Sequence, residues 1–90
     1  MTLNVDGIYA VVDPLLGGTN IATLIAEQRV TVINCVPSAA YQLIESRTRW
    51  PALSSLRLLA LGGEAIRLNQ LRPWLRSEHC RARLLNMYGP

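Results

Sequence analysis

The sequence predicts an α/β protein: a parallel β-sheet with crossover helices in the order βαβαβαβ, stacked in a three-layer-like arrangement. Short apolar, β-branched runs recur at residues 8–12, 30–36, 56–61 and 82–87. Between them, apolar residues fall every three or four positions, the period of a helix packed on one side. The run at 30–36 is almost continuously apolar, which suits a strand covered on both faces of a parallel sheet.

The first strand, Ile8-Tyr9-Ala10-Val11-Val12, follows Gly7 and stops at Asp13-Pro14. Residues 15–18 form a turn, after which Thr19 or Asn20 can cap a helix running to about Gln28. Ile21, Leu24, Ile25 and Gln28 share one face of that helix. The second strand, 30–36, ends at Pro37, which has no N–H for a ladder. Ser38 is placed to cap a helix to about Ser46, with Ala40, Leu43 and Ile44 as its apolar stripe and Tyr41 beside it.

Residues 47–55 contain Trp50-Pro51 and a pair of serines and read as a connector. The third strand, 56–61, is broken by Gly62-Gly63. A helix over 68–78 follows, burying Leu68, Leu71, Trp74 and Leu75. Pro73 removes one of its backbone hydrogen bonds, which costs ~3 kcal/mol in a helix interior, so the helix starts late or kinks there. The fourth strand, 82–87, is left by Tyr88-Gly89-Pro90. No repeat, low-complexity stretch or linker divides the chain, so residues 1–90 read as one unit.

Half of the residues are hydrophobic, which argues against disorder. That is a high apolar content for a chain with so little interior, and it is expected where part of the surface belongs against a neighbour. The net charge of +3 is carried by arginine alone, because there is no lysine. Residues 1–45 hold Arg29 against Asp6, Asp13, Glu27 and Glu45, whereas residues 46–90 hold eight arginines against Glu64 and Glu78. The basic half reads first as a solvated face and otherwise as a surface for an acidic partner. No nucleic-acid-binding motif accompanies it, so no nucleic acid is expected. Cys35 and Cys80 make no disulfide framework, and His79-Cys80 lacks the spaced partners of a zinc site. No secretory signal opens the chain and no apolar run approaches the ~18–20 residues that span a bilayer, so a cytoplasmic protein with no membrane contact is expected.

In open parallel sheets, ligands bind beyond the carboxyl ends of the strands. Those ends carry Asn34 to Ser38, Gly62-Gly63-Glu64 and Asn86 to Pro90. Glycine lets a planar base approach the backbone, asparagine offers both donor and acceptor to a purine edge, and tyrosine stacks on a ring. Gly62-Gly63 after a strand is equally an ordinary turn, and it lacks the spacing and lysine of a phosphate loop. No convincing Ser/His/Asp set is present.

Taken in order, the three strand ends resemble the motifs of adenylate-forming enzymes, in particular the adenylation domains of nonribosomal peptide synthetases. Val30 to Ser38 is similar to the family's vTvxxxxPs stretch, Leu56 to Ala65 to LRxxxxGGEal, and Arg83 to Pro90 to rxxNxYGPTE, cut before the Thr-Glu. The match spans most of residues 8–90. Asn-x-Tyr-Gly-Pro points to amino-acid adenylation, where acyl-CoA synthetases more often carry Tyr-Gly-Met-Thr-Glu.

The resemblance implies a parent reaction in which an amino acid and ATP, with Mg2+, give an aminoacyl-adenylate and pyrophosphate. The acyl group then moves to a phosphopantetheine thiol on a carrier domain. It implies that Asn86 meets the adenine edge, Tyr88 stacks on the ring, and Gly62, Gly63, Glu64 and Gly89 form the wall beside the nucleotide. Asn34, Leu59, Leu61 and Met87 match positions lining the amino-acid pocket; the leucines are equally plain core.

The family's phosphate loop, the Thr-Glu, the ribose-binding and amine-anchoring aspartates and the catalytic lysine have no counterpart here. The expectation is therefore a piece of the large domain of such an enzyme, without catalytic residues or metal ligands of its own. It should hold no tightly bound cofactor, and its partners should be the rest of the adenylation domain and neighbouring carrier and condensation domains. A fragment of an acyl-CoA ligase, a self-sufficient α/β nucleotide-binding module and an interaction domain are the alternatives.

Overall fold

Alternation along the strands sets the architecture. The computed structural model describes residues 2–5, 8–11 and 18–87. Its elements are β1 (Thr2–Val5), β2 (Ile8–Val11), α1 (Gly18–Gln28), β3 (Val32–Cys35), α2 (Pro37–Ile44), a 3-10 helix (Arg47–Leu53), β4 (Leu58–Leu61), α3 (Leu68–Leu75) and β5 (Arg83–Asn86). The strands form one five-stranded sheet in the order β2-β1-β3-β4-β5. β3, β4 and β5 are parallel, while β1 runs antiparallel to both β2 and β3.

Leu3, Ile33, Cys35, Leu59 and Leu61 lie on one face of the sheet and join Ile21, Ile25, Ala40, Leu43, Leu71 and Trp74 of the helices in a single core. Ile33 and Leu59 pair in register, as do Cys35 and Leu61. The other face carries Val32, Asn34, Leu58, Ala60, Arg83 and Leu85, and no described helix covers it. Among the described residues the fold therefore has two layers, where the apolar strands predicted cover on both sides. The near-continuous apolar runs of β3 and β4 remain a mark of strands meant to be buried twice.

The α/β class and the crossover helices between β3, β4 and β5 agree with the sequence. The simple βαβαβαβ order does not, because β1 is inserted between the first predicted strand and the second. Its Thr-Leu-Asn-Val alternation is short, but Val5 pairs with Ile8 across Asp6-Gly7, a dipeptide favoured in two-residue hairpin loops. That signal was present in the sequence. Val12 lies outside the described residues.

Several boundaries shift for local reasons. α1 starts at Gly18, so Thr19 and Asn20 fall within its first turn, and its buried face is Ile21, Ala22 and Ile25 while Gln28 is exposed. α2 starts at Pro37, whose missing N–H is harmless in a first turn. Its cap residue is Val36, with no side-chain hydrogen bond, so Ser38 is not the cap. The connector 47–55 is mostly a 3-10 helix that buries Trp50 and Leu53, with the Trp50 indole N–H donating to the Ile44 carbonyl at 2.9 Å. Pro73 lies inside α3, which ends at Leu75 rather than Glu78; Leu71 and Trp74 are buried, but Leu68 is 48% exposed.

Candidate functional site at the strand tips

The carboxyl ends of the three parallel strands are neighbours. Cys35, Leu61 and Asn86 stand side by side in register. Backbone bonds extend the pairing past the strands: Gly62 N–H donates to Cys35 O at 3.2 Å and Met87 N–H to Leu61 O at 2.7 Å. The three segments singled out by sequence thus meet at one pole, as far as Met87; Tyr88, Gly89 and Pro90 lie outside the described residues.

Gly63 has φ +87°, a conformation that favours glycine, and a Cβ there would stand 3.2 Å from Val36 Cγ1. At Gly62 an added Cβ would meet Met87 Cβ at 3.4 Å. Val36 and Met87 are 41% and 45% exposed, so the two glycines lie between half-open apolar side chains. The result is a shelf of bare backbone between Val36 and Met87.

Glu64 takes a definite position. Its carboxylate accepts the Ser38 backbone N–H at 3.0 Å and the Ser38 hydroxyl at 3.3 Å. Ser38 is in the first turn of α2, where backbone N–H groups lack helical partners and a negative charge is favoured. The loop after β4 therefore caps the helix after β3. The Tyr41 hydroxyl ties the same two segments by accepting the Arg67 N–H at 2.7 Å. The pairing of Glu64 with Ser38 was not legible in the sequence, because the residues lie 26 positions apart.

Asn86 is exposed and lines a shallow groove of about 410 Å³ with Ala65, Ile66, Leu68 and Leu84. It is the polar group in an otherwise apolar lining. Leu68 faces this open groove instead of the core. The helical stripe read from sequence places it inside, and only its position in the first turn of α3 hints otherwise.

The pocket set expected from sequence divides between two faces. Leu59 and Leu61 are 2% and 0% exposed and pack in the core beneath the helices. Asn34, exposed, lies on the opposite face beside Ala60, and Met87 lies against Gly62. The cause is the period of two along a strand: residues 59 and 61 point one way, 60 and 62 the other. The four residues do not line one space; Ala60 and Gly62 are the β4 positions on the side of Asn34 and Met87.

Burial pushes the Cys35 thiol up to about 11, and it pushes Cys80 up as well, so neither is an activated nucleophile. Among the described residues no group of three His, Cys, Asp or Glu side chains is placed to hold a metal. Among the same residues no helix is long and apolar enough to cross a membrane.

In this open α/β sheet, glycines, a carboxylate and an asparagine gather at the carboxyl tips of the parallel strands, the end at which such sheets bind ligands. The comparison with known proteins is more particular: residues 7–90 match the model of the AMP-binding enzyme family, and the chain belongs to that family. It is 42% identical over 69 residues to a malpinin synthetase of Mortierella alpina, covering 74% of this chain and 1% of the relative. It is 41% identical over 70 residues to a dimodular nonribosomal peptide synthase of Bacillus subtilis, covering 73% and 3%. With a syringomycin synthase of Pseudomonas syringae pv. syringae it shares 42% over 66 residues, covering 72% and 11%. The chain thus spans a small fraction of the length of these relatives.

Proposed function

We propose that this chain forms one wall of the substrate site of an amino-acid-activating adenylation domain in a nonribosomal peptide synthetase. The observation that carries the reading is the meeting of the Gly62-Gly63-Glu64 and Asn86 segments at adjacent parallel strand tips, within a chain of the AMP-binding family. The names of the similar synthetases favour amino acid over other carboxylic acid substrates.

In this reading the adenine of ATP lies along the glycine shelf. Asn86 meets its edge, Tyr88 stacks on its ring, and Gly89 lets the backbone pass close by. A Cβ at Gly63 would press on Val36 Cγ1 at 3.2 Å, so a side chain there would disturb the shelf. Glu64 serves by fixing the shelf to α2 through Ser38. Asn34 and Met87 border the amino-acid pocket from the open face, and Leu59 and Leu61 support that border from within the core.

The reaction joins the amino-acid carboxylate to the α-phosphorus as pyrophosphate leaves, with Mg2+ offsetting the charge, before transfer to a carrier-bound phosphopantetheine thiol. None of the described tip residues at 34–38, 62–64 and 86–87 is a cation. The triphosphate and metal are therefore met by other parts of the domain, and this wall orients the base and side chain. The remainder of the adenylation domain and its carrier and condensation neighbours are the partners this requires.

The test has two arms. Titrating the isotopically labelled chain with AMP should shift the amide signals of Gly62, Gly63, Asn86 and Tyr88, and amino-acid-dependent ATP–pyrophosphate exchange by the chain alone should be nil. Shifts confined to other regions would remove the nucleotide reading. Robust exchange would remove the division of labour.

A further inference from the structure

The opposite pole of the sheet has its own composition. Each parallel strand is entered through an arginine: Arg29 precedes β3, Arg57 precedes β4 and Arg81 precedes β5. The entries are tied together, since Arg57 N–H donates to Thr31 O at 2.7 Å and Arg83 N–H to Arg57 O at 2.9 Å. All three arginines are exposed and line one cleft of about 290 Å³ with Pro51, Ala52 and Ser54. No carboxylate lines this cleft, and none is paired with these arginines among the described residues.

Arg29 adds a second, independent observation. α1 ends in a Schellman arrangement, with Val30 N–H donating to Ile25 O at 3.0 Å. Arg29 occupies the left-handed position of that motif at φ 51°, where glycine is preferred and a side chain is strained. The helix dipole favours a cation here. It does not account for Arg57 or Arg81, which lie at no helix end.

We propose that this arginine pole docks an acidic, extended segment of a partner polypeptide, at a site separate from the nucleotide shelf and independent of it. Guanidinium groups match carboxylates in bidentate geometry. Adjacent strands lie about 4.8 Å apart, less than the about 6.5–7 Å between alternate residues of an extended chain, and long, flexible arginine side chains can take up the difference. Pro51 and Ala52 give that chain an apolar floor. The cleft has no aromatic lining on which a nucleic-acid base would stack.

The experiment titrates the labelled full chain at low salt with a peptide alternating Glu and Ser, alongside single-stranded DNA and inorganic polyphosphate. Peptide shifts should centre on Arg29, Ser54, Arg57 and Arg81 and fade as salt shortens the screening length. The triple variant R29Q/R57Q/R81Q should bind about tenfold or more weakly, while the charge-matched R67Q/R72Q/R76Q should bind like the parent. Arg29→Gly should be at least as stable as the parent yet bind about two- to fivefold more weakly. Equal loss in the two triple variants, tighter binding of DNA or polyphosphate than of peptide, or no localised shifts would each overturn the proposal.

Discussion

Glu64 carries the tightest constraint at the scale of single residues. In sequence it reads as part of a nucleotide wall; in the fold it is the acceptor that satisfies the first turn of α2. A capping carboxylate at a helix start contributes about 1 kcal/mol. Glu64→Ala should therefore lower stability by about that amount and speed hydrogen exchange at the Ser38 amide. Glu64→Gln, which keeps one acceptor, should fall between the two. Unchanged exchange at Ser38 in Glu64→Ala would mean that the cap does not form in solution. The identity of Glu64 was legible in the Gly-Gly-Glu string, but its partner was not, because residues so far apart are joined only by the register of β3 on β4.

At the scale of elements, the two tryptophans behave oppositely. The Trp50 indole N–H of the 3-10 helix reaches the Ile44 carbonyl that ends α2, and the Arg47 guanidinium lies 4.9 Å from the Trp50 ring centre. The Trp74 indole N–H in α3 is buried with no partner among the described residues. Leaving a buried donor unsatisfied costs about 1–3 kcal/mol, whereas breaking a made bond strands its acceptor. Trp50→Phe should thus destabilise by about 1–2 kcal/mol more than Trp74→Phe, read as the difference in urea midpoints. Equal midpoints would mean that the Trp50 bond contributes nothing. Helix stripes such as Ala40, Leu43 and Ile44 were legible because burial follows the helical period. The 3-10 helix was not, since a single i, i+3 pair, Trp50 and Leu53, is too short a pattern to mark a helix.

At the scale of the whole molecule, stability should depend on alkaline pH through the core thiol. Cys35 titrates near 9 when free and is raised to about 11 by burial. Below pH 9 both states keep the proton. Between 9 and 11 only the unfolded chain loses it, so stability falls as pH rises through that window, by up to about 2–3 kcal/mol. Cys80 contributes with the same sign. Chemical unfolding across this range should show the loss, and Cys35→Ala should flatten most of it while lowering stability at neutral pH. A slope unchanged by the substitution would place the titration elsewhere.

The same scale explains which parts of the architecture could be read in advance. The parallel core β3-β4-β5 and the tips it brings together follow from apolar runs, glycine breaks and intervening helices, all local signals. The place of β1 between β2 and β3 follows from its pairing with β3, which no local signal specifies. The division of Leu59 and Leu61 from Asn34 needed only the strand period, yet which face is covered depends on helices elsewhere in the sequence.

The place of β1 has a practical bearing on handling the protein. Residues 2–5 precede the stretch matched by the family model, yet they sit between β2 and β3 and hydrogen-bond to both. Trimming the chain to its family-matching portion would bare the edge of β3 in the middle of the sheet, inviting a second copy to pair there. Any shortened version of the protein should therefore keep residues 2–5.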